Sequence, residues 1–329
     1  MKKITISVFI IAFSYLILNC GKPIESESQF KIISKCPNPG YAQSVWISKI
    51  NNKPYAFIAS GQAGMVIYNI ENPEQPQIVA QWFDTTYSSW AVTTLSNYAY
   101  ITSGKKFFEK LDISNLDSLR LVSSFNFLGY SGYAYDISTI DTNYVCVAAR
   151  ERFYLFDLSD PSFPVYRDIT FPNCARGVFT VDSLAYLACE QLGLYIVKVK
   201  TSPQLSISIM GSCDTPSNAR GLFVLDNTCY IADGRNGIVI IDVTNPRVAK
   251  VISHLSLSGY ACRIFVKDTL AYIACENAGV VIVNVKDKSK PVLIETVKTS
   301  YAKGVFVPNG PYIYVADRDE GLIVIKQEE

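Results

Sequence analysis

The chain contains a single histidine, carries no surplus of either charge and never spaces two cysteines as CxxC. Each absence removes a class of function. One histidine cannot build a site of two or three imidazole ligands, and any His-dependent catalytic unit would have to use His254. That residue lies in the alternating run VISHLSLSG (251–259), which reads as an outer, surface strand. With 30 basic against 29 acidic side chains there is no cationic excess to neutralise phosphates, so nucleic acid is not an expected partner. No stretch repeats its apolar residues every 3.6 positions, so no Gly-rich phosphate loop leads into a helix. The densest acidic cluster, DRDEG (317–321), lacks the spacing of a calcium loop and reads as a solvated loop. No metal and no cofactor is implied.

What is present is repetition. GMVIYNI (64–70), GLYIVKV (193–199), GIVIIDV (237–243), GVVIVNV (279–285) and GLIVIKQ (321–327) are variants of one short apolar run. The last four start 44, 42 and 42 residues apart, and the long first gap holds two diverged copies, FFEKLDI (107–113) and RFYLFDL (152–158). A period near 40 marks an array or a propeller. Within each copy the order recurs. A segment such as NARGLFV (218–224) comes first, then an aromatic run such as LAYIAC (270–275), the Gly-started apolar run, a Pro-marked turn and a looser alternating run such as PVLIETV (291–297). These are four short strands bounded by turn residues, an antiparallel meander. A strand apolar on both sides needs cover on both faces, which stacked sheets around an axis supply.

The expected fold is therefore all-β, a seven-bladed β-propeller of four-stranded antiparallel blades over 30–329. The last copy stops at its third strand, and the N-terminal segment QFKIISKCPNPGYA (29–42) resembles the fourth-strand segment LSISIMGSCDTPSNA (205–219). The N-terminal strand is expected to complete the last blade and close the ring, which also removes exposed edges.

These motifs resemble the LVIVD-repeat family of bacterial β-propeller proteins, over about residues 30 to 327. The resemblance implies the propeller architecture and an exported, often lipidated, protein; it implies little about activity.

The start, MKKITISVFIIAFSYLILNCG, has a positive n-region, an apolar core too short to span a bilayer comfortably, and Cys20. It looks like a bacterial lipobox, with Asn19 where that pattern favours a small residue. Residues 1–19 read as a lipoprotein signal peptide, Cys20 as the lipidated residue, and 20–29 as a flexible tether. Gly21 after the Cys resembles sequences delivered to the outer membrane. The expected location is the cell envelope, with the membrane as a partner through the lipid. The other eight cysteines read mostly as small apolar core residues. Cys189 and Cys275 fall in blades four and six and Cys36 and Cys213 in seven and four, too far apart to bridge.

First strands of a propeller line the axis, so the residues that open them ring the channel mouth. In alignment these are Gln43, Trp90, Tyr135, Arg176, Arg220, Cys262 and Lys303, with Arg263 one place further on. Arg176, Arg220, Arg263 and Lys303 make a basic arc opposite Trp90 and Tyr135. Such a mouth is a candidate site for an acidic side chain of a protein partner or a small anionic ligand. Cys262 among those cations is a candidate for a lowered pKa. The reading is a lipid-anchored, non-enzymatic protein-interaction module; the alternative is an anion binder or enzyme using the channel mouth.

Overall fold

The computed structural model describes residues 28–83, 88–104, 106–126, 133–141, 143–159, 165–171 and 175–328. The expected signal peptide, Cys20 and all but the last two tether residues lie outside them. Seven four-stranded antiparallel sheets account for the strands, and the only helical turn among the described residues is a 3₁₀ turn at Pro246–Val248. The expected blades are all there: one spans 44–82, two 89–126, three 134–170, four 177–213, five 221–255 and six 263–297. Blade seven combines Ala302–Phe306, Tyr312–Asp317 and Gly321–Gln327 with Phe30–Cys36 as its outer strand. Phe30 pairs with Gln327 and Cys36 with Leu322, so the N-terminal strand closes the ring as expected.

The third strand shows why the short apolar run recurs. In Val280–Asn284, Val280 and Ile282 pack into the cluster shared with blade seven. Val281 and Val283 point the other way, into the cluster shared with blade five. A central strand covered on both faces reads as a continuous apolar run. The glycine before it is required by the turn. Gly237 has φ +83°, and an added Cβ would lie 2.4 Å from the Leu255 carbonyl oxygen, which only glycine tolerates.

The first strands of all seven blades pack against their neighbours around the axis. The second-to-third-strand loops stitch adjacent blades on one face: the Glu190 and Ala219 backbones exchange hydrogen bonds of 3.0 Å each way, and Gly61–Ser89, Gly234–Ala261 and Glu276–Ala302 form equivalent bridges. His254 is exposed on an outer strand. Cys36, Cys146, Cys213, Cys229, Cys262 and Cys275 are free thiols. DRDEG is only partly a solvated loop: Asp317 is fully buried and its carboxylate accepts bonds from the backbone N–H groups of Tyr301, Asp319 and Glu320.

Candidate binding site in the central channel

Gln43, Trp90, Tyr135, Arg176, Arg220, Cys262 and Lys303 surround one small cavity of about 60 Å³ with Arg263. The alignment brought the right side chains together. It did not show what they are bonded to.

The basic arc is largely offset by carboxylates, three against its four cations, which corrects the picture of an open positive mouth. Arg176 Nε donates to Glu190 Oε1 at 2.6 Å, and Arg220 Nη1 reaches the same oxygen at 3.4 Å. Lys303 Nζ donates to Glu276 Oε1 at 2.9 Å, and the Tyr301 hydroxyl donates to Oε2 at 2.7 Å. Arg263 crosses the channel from blade six to Asp136 on blade three, whose Oδ2 also accepts the Val178 backbone N–H at 3.0 Å. Burial pulls the Arg263 guanidinium down; the charge and bond of Asp136 outweigh it and hold the group above its ordinary value. Burial likewise pushes the Glu276 carboxyl up, and the bonds from Lys303 and Tyr301 reverse this, leaving it below its ordinary value. Tyr301 is pushed up to about 12 by burial and by its bond to Glu276.

Cys262 contradicts its reading outright. It is buried among backbone carbonyls, its Sγ donating to the Ala274 oxygen at 3.2 Å, and burial pushes its pKa up despite the cations nearby. It is an inert core thiol.

Glu190 and Glu276 are the residues the alignment missed. Both follow the second strand, at a position that takes a left-handed backbone: φ is +43° at Glu190 and +47° at Glu276. Two other blades place Gly61 and Gly234 there. A glutamate in a slot that suits glycine carries strain on the order of 1 kcal/mol, and the cation it holds is what that strain secures. A glutamate standing in a glycine column was the available signal.

The same face carries aromatic–arginine contacts in and around the ring. Arg176 stacks on Tyr135 at 3.9 Å from the ring centre. Arg318 does so on Tyr301 at 3.9 Å and lies 5.9 Å from Tyr41. Tyr41 and Phe83 are 62% and 60% exposed and border one concave surface with Arg318.

Below the mouth the channel changes character. It opens into a chamber of about 390 Å³, with Arg263 and Asp136 at its head. Phe179, Phe223, Phe265, Phe306 and Trp46 follow one another around its wall, with ring centres 4.6 to 5.0 Å apart. The equivalent places in blades two and three hold Thr93 and Ser138.

No group of three or more His, Cys, Asp or Glu side chains able to hold a metal occurs among the described residues, nor does a helix long and apolar enough to cross a membrane.

The LVIVD repeat model matches residues 39–84, 88–127, 131–168, 216–250, 258–299 and 301–325, together well over half of the chain. The interval it leaves out holds blade four, while the diverged blades two and three are matched. No curated protein matches the sequence. Among solved structures, the fold is similar to a crystal structure of RRP9 WD40 repeats, with TM-score 0.71, 7% identity, and coverage of 92% of this chain and 98% of that one. A chain of a mitotic checkpoint complex gives TM-score 0.74 at 9% identity, covering 94% and 95%. A computationally designed protein, Ika8, gives TM-score 0.64 at 8% identity, covering 89% and 98%. At these identities the likeness is one of fold.

Proposed function

The chain belongs to the LVIVD-repeat family, and on that premise we propose that it is a binding propeller, not an enzyme, whose channel-mouth face engages a protein partner. The observation that carries this reading is the make-up of that face: exposed Tyr41 and Phe83 stand beside the half-buried Tyr301, Arg318 and Arg176–Tyr135 stack. Those are the residue types that dominate binding energy at protein interfaces. The similar fold within a mitotic checkpoint complex fits a propeller serving as a platform. What supports a non-catalytic role is that the mouth's acids and cations bond one another. A small anion at the mouth is disfavoured for the same reason, and about 60 Å³ holds only a water or two.

The proposal includes anchoring through lipidated Cys20, at the cell envelope and by resemblance in the outer membrane. The topology bears on the orientation such an anchor would give. Phe30 lies at the end of its strand opposite Cys36, which reaches the mouth face beside Leu322. A tether preceding Phe30 leaves from the far face, so the mouth points away from the lipid.

The test is a photo-crosslinking residue placed at position 41 or 83 in cells expressing the protein at native level, with position 294 on an outer strand as control. A discrete protein adduct at 41 and 83 but not at 294 is the expected result. Adducts at 294 alone would move the interface off this face, and none at any position removes the reading. Incorporation of a labelled fatty acid, abolished by Cys20→Ala, tests the anchor.

A further inference from the structure

The chamber under the mouth is not used by that reading, and its wall has a definite chemistry. Five aromatic side chains from five consecutive blades form a partial girdle. Each is only half-buried although it faces the interior, so apolar surface is left against whatever fills the space. The Ser138 hydroxyl in the gap is satisfied within the wall. Ser138 and Thr180 bond each other at 2.8 Å, and Thr180 also donates to the Thr139 carbonyl at 2.9 Å. The Trp46 Nε1–H donates to Thr94 at 3.0 Å. Water in such a space finds few partners and is readily displaced by an apolar group.

One polar atom breaks the pattern. Ser44 lines the head of the chamber, is 8% exposed, and its hydroxyl has no hydrogen-bond partner. A buried hydroxyl left without a partner is costly and calls for explanation. Its neighbours at the head, Arg263 and Asp136, are bonded to each other. A carboxylate ligand would therefore face Asp136 and a cation would face Arg263; a neutral oxygen meets neither penalty.

We propose that the central chamber is a binding site for a neutral, flat aromatic molecule of about two fused rings carrying one carbonyl or hydroxyl oxygen. The rings lie within the Trp46–Phe179–Phe223–Phe265–Phe306 girdle, in the offset and edge-on contacts aromatics favour. The oxygen takes the Ser44 hydroxyl once that side chain turns toward the chamber, since as placed its oxygen is enclosed. The volume of about 390 Å³ falls within the range of small-molecule sites. Arg263 borders both cavities and stands between chamber and mouth, so the ligand enters from the opposite face. This site is independent of the mouth reading and survives its failure.

The probes are 2-acetylnaphthalene and 2-ethylnaphthalene, which differ in a single carbonyl. Each is equilibrated by dialysis with the full chain, against a chamber holding the same detergent without protein. Saturable binding of one molecule per chain is expected. Ser138→Phe, which puts a sixth ring into the gap, weakens both probes more than tenfold. Phe265→Ala, which removes a ring, weakens both at least threefold, so the outcome does not depend on one variant folding. Ser44→Ala weakens only the ketone, by about fivefold, the value of one lost hydrogen bond. Tyr41→Ala on the mouth face changes neither. Absence of saturable binding overturns the proposal. So does wild-type affinity in folded Ser138→Phe or Phe265→Ala, or an equal loss of both probes with Ser44→Ala.

Discussion

Arg220, just before the first strand of blade five, and Phe223, within it, are three residues apart, yet they belong to opposite environments. The upper channel is built of charges held in pairs by Glu190, Glu276 and Asp136. The lower channel is built of rings. The two levels also exchange sides. At the mouth, blades four to seven supply cations while blades two and three supply Trp90 and Tyr135. One step down, blades four to seven supply Phe179, Phe223, Phe265 and Phe306, and blades two and three supply Thr93 and Ser138. Register along one strand decides polarity, and divergence between blades decides which side is open. A symmetric ring becomes a directional site through nothing more than substitutions at two strand positions.

The change that breaks this division most is Asp136→Ala, because Arg263 then sits at the boundary with its charge unpaired. Removing one partner of a largely buried ion pair costs about 3 kcal/mol, read as a fall in the urea midpoint at constant slope. Adding Arg263→Met removes the stranded charge and recovers most of the loss. If the double variant is no more stable than Asp136→Ala, the pair does not separate the two levels as described.

Phe265→Ala attacks the lower level alone. Its ring touches Phe223 and Phe306 at 4.6 and 4.8 Å but is only half-buried, so the cost is about 2 kcal/mol, below that of a fully buried phenylalanine. The loss is independent of pH and salt, as befits an apolar contact.

Glu190 sharpens the upper level. Glu190→Ala loses the bonds to Arg176 and Arg220 and keeps a side chain at positive φ, costing about 1 kcal/mol. Glu190→Gly loses the same bonds but relieves the strained backbone and is the milder change. Equal stabilities would show that the left-handed backbone at this position carries no strain.

How much of this was legible from the sequence follows the same division. The apolar run with its glycine exposed the blade period, because a third strand covered on both faces and a turn needing φ +83° at Gly237 leave little freedom. Aligning first strands was enough to assemble the mouth, since equivalent positions of a closed ring must meet at the axis. Charge pairing was hidden because Glu190 and Glu276 come from a different part of the repeat, the second-to-third-strand loop, and because Asp136, at the same repeat position as Arg263, meets it only across the closed ring. The chamber was hidden for another reason. Phe179 or Phe223 in a β-strand looks like any core phenylalanine; only the closed ring turns four of them, with Trp46, toward one cavity.

The smallest effect is the pH response, and it belongs to the upper level only. The Glu276 carboxyl is held below its ordinary value by Lys303 and Tyr301 against the opposing effect of burial. A carboxylate with a depressed folded-state pKa stabilises the protein fully above its unfolded value, about 4.3 for glutamate. That contribution fades as pH falls through the lower folded-state value, where the carboxyl takes up its proton. The pair is about one-fifth exposed, with 21% for Lys303 and 18% for Glu276, so its contribution is discounted to less than about 1 kcal/mol. Wild type is therefore more stable than Glu276→Gln at pH 7, and the gap closes as the medium is taken from pH 5 toward pH 3. Phe265→Ala keeps the same deficit from wild type across that range. A gap between wild type and Glu276→Gln that stays constant to pH 3 would falsify the assignment of this carboxylate as the ionised anchor of Lys303.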